Sequence, residues 1–100
     1  MKMIYLSHPY TGNEKENAAD AERTRAALQY DNPEECYVNP LSMFGESNGE
    51  YYQVLAQCLE VLSRCDEIIF CDGWRESIGC QAEMAFAMQQ GIKVEFLNDD

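Results

Sequence analysis

Positive charge is what this chain has least of. Seven Lys and Arg stand against 18 Asp and Glu, with a single histidine, for a formal net charge of -11 over 100 residues. Proteins that grip a nucleic-acid backbone neutralise its phosphates with Lys and Arg, so the balance argues against a DNA or RNA polymer as partner. It argues equally against docking on an anionic membrane surface. No apolar run approaches bilayer-spanning length, and the apolar stretch within Met1–Pro9 is too short for a secretory leader. A cytoplasmic protein is therefore expected, without membrane contact.

Other absences narrow the chemistry. The five cysteines, Cys36, Cys58, Cys65, Cys71 and Cys80, are odd in number and form no C-x-x-C pair. With His8 as the lone histidine, no zinc or other metal site is expected, and the thiols read as small apolar packing groups. There is no G-x-G-x-x-G fingerprint and no Walker A lysine, so neither dinucleotide binding nor P-loop hydrolysis fits, and no cofactor is expected. There is also no internal repeat, low-complexity tract or linker. Residues 1–100 read as one domain. So small a domain leaves much of its surface exposed, and association with a second copy, a dimer above all, would cover more of it.

What is present alternates strand and helix. Lys2–Ser7 is a short apolar strand opening into the loop His8–Asn13. Asn13 is a candidate N-cap for an Ala-rich helix from Glu14 to about Tyr30, stopping near Asp31-Asn32-Pro33. Cys36–Val38 is a brief second strand, followed by a loop over residues 39–48. Tyr51, Leu55, Cys58, Leu62 and Cys65 recur at three- and four-residue intervals and predict a helix from about Glu50 to Arg64. Ile68–Cys71 lacks alternation, as a central strand covered on both faces should. Asp66, just before it, reads as a turn or capping residue. Ser77 is placed to cap a helix reaching about Gln90, with Gly91 at its C-terminal turn, and Ile92–Leu97 is the last strand. Three helical crossovers predict a three-layer α/β fold: a mostly parallel four-stranded sheet of flavodoxin-like or Rossmann-like type.

Ligands in such sheets sit beyond the C-terminal strand ends, so the loops after the first three strands are expected to converge on one pocket. Ser77 and the N–H groups after it suit an anion or hydroxyl, or simply cap the helix. Gly79 allows a ligand close to the backbone. Glu83, among small and apolar residues, is either a nucleophile or base facing the pocket or a solvated helix residue. Asp72 either binds a ligand hydroxyl or ends its strand in a turn. Tyr10 and Trp74 either stack on a planar base or cover the edge of the core. The Tyr5 hydroxyl either reaches the pocket or is satisfied in the core. His8 offers a donor to an anion or sugar oxygen, or a structural hydrogen bond. Gly12 serves the turn into the first helix.

Taken together, Ile4-Tyr5-Leu6-Ser7-His8-Pro9-Tyr10, Asn39-Pro40-Leu41, Cys65-Asp66-Glu67-Ile68-Ile69 and Gly73-Trp74-x-x-Ser77-x-Gly79-Cys80-x-x-Glu83 resemble the nucleoside 2-deoxyribosyltransferase-like superfamily, and more narrowly a small, uncharacterised bacterial and phage family within it. The resemblance implies cleavage or exchange of the N-glycosidic bond of a 2′-deoxynucleoside or its 5′-monophosphate, by a hydrolase or a transferase. It implies Glu83 as the catalytic carboxylate, with Tyr5 beside it. It implies Ser77 as a phosphate contact and Ser7, His8 and Gly12 as ligand contacts. A noncatalytic nucleotide-binding or sensing module, or a protein-interaction domain, is the alternative on the same scaffold. Where the superfamily carries an aspartate in the helix before the central strand, this chain has Cys58, and Glu60 nearby is expected to face elsewhere. Relatives in the superfamily have another strand or C-terminal segment after the fourth strand, which completes the sheet, so a four-stranded sheet without it is expected here.

Overall fold

A computed structural model describes residues 1–44 and 50–98. In chain order the elements are β1 (Met3–Ser7), α1 (Glu14–Asp31), β2 (Cys36–Val38), α2 (Pro40–Phe44), α3 (Tyr51–Leu62), β3 (Glu67–Phe70), a 3₁₀ turn (Trp74–Glu76), α4 (Ile78–Gln90) and β4 (Lys93–Phe96). The sheet order is β2-β1-β3-β4. All three pairings are parallel, Tyr5 lying opposite Val38 on one side and Ile68 on the other. The expected mostly parallel sheet is thus wholly parallel among the described residues.

Alternation along β1 divides the core. Ile4 and Leu6 point to one face, where they pack with Ala21 of α1, Tyr37 and Ile69. Tyr5 points to the other, where it packs with Cys58 and Leu62 of α3, Ile68, Phe70, and Cys80 and Ala87 of α4. Helix α1 therefore covers one face of the sheet, while α3 and α4 cover the other. The right-handed crossover rule gives the same result, because the chain moves from β1 out to β2 and then back past β1 to β3. Fully buried Leu62 and Ile68 each contribute about 1.5–3 kcal/mol by leaving water.

The helix ends mostly follow local chemistry. Ser77 Oγ accepts from Cys80 N at 3.2 Å, and Gly91 closes α4 at φ 71°. Asn13 occupies the N-cap position of α1, but its side chain makes no capping bond. Asp66 lies at the N-terminal end of the sheet, where its carboxylate accepts from Met3 N at 2.8 Å. Glu67, buried at the same end, is neutralised by Lys2 at 3.0 Å and Lys93 at 3.8 Å.

One element departs from the expected loop. Residues 40–44 form α2, with Asn39 Oδ1 accepting from Leu41 N at 3.2 Å and Pro40 in the first helical position. Asn as cap followed by Pro is a helix-start signal. The remainder of the stretch read as a loop, residues 45–48, lies outside the described residues.

Candidate active site

The chain reverses direction across the sheet between β1 and β3, since the connections leaving them run opposite ways. A crevice at the C-terminal strand ends is the usual consequence. A cavity of about 350 Å³ opens there on the α3–α4 side. Its lining combines His8, Tyr10 and Thr11 after β1, Pro40 and Leu41 after β2, Tyr51, Val54, Leu55 and Cys58 on α3, and Ser77, Gly79, Cys80 and Glu83 on α4.

Glu83 is the chemical centre of this cavity. It is 7% exposed, and both carboxylate oxygens are held. Tyr5 Oη donates to one, and Ser7 Oγ donates to the other at 2.7 Å. Tyr5 and Ser7 share a face of β1 because they are two residues apart, and that face looks toward α4. Burial pushes the Glu83 carboxyl above its ordinary range, while the hydrogen bonds from Tyr5 and Ser7 pull it back. Burial, reinforced by the Glu83 charge, pushes the Tyr5 phenol well above its ordinary value, so it stays a donor. The result is an oriented carboxylate with little solvation of its own, a form suited to nucleophilic attack.

Ser77 and Glu83 lie six residues apart on α4, about 9 Å along the helix axis. Between them Gly79 leaves a gap. A Cβ there would sit 3.7 Å from Tyr51 Oη and 4.0 Å from Ser77 Oγ, so two hydroxyls converge on one point beside the first turn of α4. Burial raises the Tyr51 phenol as well, keeping it protonated. The cavity therefore has the Glu83 carboxylate, the Tyr51 and Ser77 hydroxyls beside the first turn of α4, and an apolar wall from α3.

The remaining sequence candidates divide. His8 and Tyr10 line the cavity, but both His8 ring nitrogens are engaged elsewhere, Nδ1 with Pro9 O at 2.7 Å and Nε2 with the Asp20 carboxylate at 2.8 Å. The ring thus ties the β1–α1 loop to α1 instead of presenting a nitrogen to a ligand. Gly12 is outside the lining. Its φ of 107° needs glycine, and its N–H donates to the Glu14 carboxylate.

Asp72 and Trp74 are not brought to this cavity. They line a second one, of about 370 Å³, with Phe70 and Phe96. There Asp72 accepts from the Asn98 amide at 2.9 and 2.8 Å, and the Trp74 ring packs 5.2 Å from Phe70 and 5.5 Å from Phe96. The reason is topological: β3 continues toward β4, carrying its loop away from β1. From α3, sequence reasoning set only Cys58 at a ligand position, through the resemblance, and it missed Tyr51, Val54 and Leu55 in the cavity lining. Tyr51, Leu55 and Cys58 had the spacing of a core face, and half of that face turns out to wall the cavity. Burial pushes the Cys58 thiol up to about 11, so it is a neutral group there. Glu60 points away, exposed and paired with Arg64 at 3.0 Å. No cluster of metal-ligating side chains occurs among the described residues.

This geometry sits on a fold shared with 2-deoxyribosyltransferases. The 2-deoxyribosyltransferase of Leishmania mexicana superposes with a TM-score of 0.74 at 16% identity, over 100% of this chain and 66% of that one. The enzyme of Bacillus psychrosaccharolyticus gives 0.64 at 19% identity, over 94% of this chain and 70% of that one. The chain thus spans about two thirds of the length of these structures. The chain belongs to the family described as Domain of unknown function (DUF4406), which it matches over residues 2–96. No curated protein matches it. Among the described residues, no helix is long and apolar enough to cross a membrane.

Proposed function

We propose that this protein cleaves or exchanges the N-glycosidic bond of a small 2′-deoxynucleoside or its 5′-monophosphate. The observation that carries the reading is Glu83, a buried carboxylate oriented by Tyr5 and Ser7 and facing a cavity of nucleoside size. The likeness to 2-deoxyribosyltransferases supports it, one of which is described as a biocatalyst for nucleoside synthesis.

In this mechanism a Glu83 oxygen attacks C1′ of the deoxyribose. The C1′–N bond breaks, its electron pair leaves with the base, and the base takes a proton. A glycosyl ester on Glu83 remains. Water then attacks C1′, giving free sugar and restoring the carboxylate, or a second base attacks and gives a new nucleoside. Tyr5 and Ser7 keep one oxygen aimed and stabilise the ionised state. Ser77, Tyr51 and the first N–H groups of α4 hold the 5′ substituent, and the α3 wall faces the sugar and base.

A second reading is favoured by Cys58. Its protonated thiol is a weak donor where the resemblance implies an acid, so the same pocket suits a nucleotide-binding module without turnover. Incubation with a panel of deoxynucleosides and their monophosphates, reading free base, separates the two. Wild type should release base and Glu83→Ala should not. Equal release by both proteins defeats the mechanism, and saturable binding without release selects the second reading.

A further inference from the structure

A leaving base needs either a proton at departure or the capacity to carry the bond's electrons away, and the cavity is poorly furnished for the first. A general acid works best when its pKa lies near the working pH. His8 lines the cavity, but both its ring nitrogens are bonded, to Pro9 O at 2.7 Å and to the Asp20 carboxylate at 2.8 Å. Glu83 is held by Tyr5 and Ser7 and must be ionised to attack. The other side-chain donors among the described lining residues are the hydroxyls of Tyr10, Thr11, Tyr51 and Ser77 and the thiols of Cys58 and Cys80. Hydroxyls and thiols are weak acids. Burial weakens three of these further, raising Tyr51 and Cys80 and bringing Cys58 to about 11. Cys58 is the critical one. It packs with Tyr5, whose hydroxyl donates to Glu83, so it stands on the Glu83 side of the α3 wall, where its neighbours Val54 and Leu55 have no proton to give.

We propose that this cavity turns over nucleosides whose base departs as a stable anion, uracil-type bases before cytosine, and that Cys58 sets this preference. The inference rests on the glycosyl transfer proposed above. As a Glu83 oxygen bonds to C1′, the C1′–N1 bond breaks and both its electrons pass to the base. In uracil two ring carbonyls spread that charge from N1 to oxygen, and the anion takes its proton from water after departure. Cytosine has one carbonyl fewer and an electron-releasing amino group, so its N1 anion is less stable and its departure depends on a proton. A positioned acid ordinarily contributes about 10²–10⁴-fold. A base that needs one should lag here by a factor of that order, and an electron-withdrawing substituent on uracil should speed release. The order follows the stability of the departing anion, not its size.

Release of free base from 5-fluoro-2′-deoxyuridine, 2′-deoxyuridine, thymidine and 2′-deoxycytidine, each as nucleoside and 5′-monophosphate, tests this at one mildly acidic pH, where the bases of the intact substrates are uncharged. kcat/KM should fall in that order, with at least about 10²-fold between first and last. Fluorine and hydrogen are close in size, so that pair isolates the electronic effect. Cys58→Asp supplies a carboxylic acid that burial and the neighbouring Glu83 charge keep protonated, and it should compress the series by raising cytosine release most. Equal rates for the fluoro and parent compounds, or cytosine released as fast as uracil, overturn the proposal with the glycosyl transfer intact. A series unchanged in folded Cys58→Asp overturns the assignment to Cys58. No release from any member overturns the glycosyl transfer itself, and this inference with it. Should Cys58→Asp fail to fold, the fluoro and parent pair decides alone.

Discussion

Replacing Gly79 by alanine should move stability and function in opposite directions. Gly79 lies in the first turn of α4 without a positive φ, so alanine fits its backbone. Its new methyl would meet Tyr51 Oη at 3.7 Å and Ser77 Oγ at 4.0 Å, which are ordinary contacts. Removing a helical glycine stabilises by about 0.5–1 kcal/mol, and a domain of this size converts that to a rise in Tm of roughly 2–8 °C. The same methyl fills the point on which the two hydroxyls converge. If a ligand's 5′ oxygen belongs there, kcat/KM should fall at least tenfold, a loss of about 1.4 kcal/mol in transition-state binding. Thermal melts by circular dichroism and a base-release assay on one preparation read both quantities. An unchanged kcat/KM together with a higher Tm would refute the placement of the 5′ group. A lower Tm would refute the packing argument.

Three further outcomes follow from the same geometry. Tyr5→Phe removes one of the two donors to Glu83, so kcat/KM should fall by about 10²-fold and the acidic limb of its pH profile should move upward, because the carboxyl then loses its proton at higher pH. The stability profile should carry the mark of Glu83 itself. Its folded carboxyl titrates above the ordinary 4.5, so the unfolded chain ionises first, and the contribution present below that pH is lost as pH rises through the folded value; urea denaturation of Glu83→Gln should lack that decline. Burial holds Cys58 and Cys65 at about 11 and Cys71 at about 12, leaving about one thiol in a thousand or fewer ionised at pH 8, so iodoacetamide should modify half-buried Cys36 first and these three only on unfolding.

Much of the architecture was legible because local chemistry and the global fold agree. The unbroken apolar run before Cys71 marked a central strand, and Ser77 with Gly91 bracketed α4 to the residue. Asn39-Pro40 carried an equally clear start signal, but α2 spans only five residues, too short for its periodicity to register. The partnership of Tyr5, Ser7 and Glu83 was less visible. Seventy-six residues separate Ser7 from Glu83, and nothing local says which face of α4 meets β1. That contact depends on strand order, with β3 laid directly against β1. Strand order also explains Asp72 and Trp74. Their loop follows a central strand, as a site loop should, yet β3 delivers it to the β4 side. Sequence distance from a strand end identifies loops at the correct edge of the sheet but not the half of that edge they occupy.

The electrostatics of the cavity bear on which reading of the site is the better one. A phosphate bound at the start of α4 carries nearly two negative charges and stands about 9 Å from Glu83. At an effective dielectric near 20, the repulsion between them is about 4 kcal/mol, falling toward 1 where water screens them. For a module that only binds, this arrangement is counterproductive: a buried carboxylate opposes the ligand that the other end of the cavity attracts. For a glycosyl transfer it is useful. As Glu83 bonds to C1′ its charge disappears, and the repulsion present in the bound complex is relieved on the way to the transition state. The desolvation that raises the Glu83 carboxyl works in the same direction, because the ester has no charge to solvate. Only interactions that improve between the bound state and the transition state accelerate a reaction. With a phosphate at the start of α4, as proposed, an ionised and poorly solvated Glu83 meets that condition. The proposed chemistry at C1′ would put this geometry to use, whereas recognition alone would work against it.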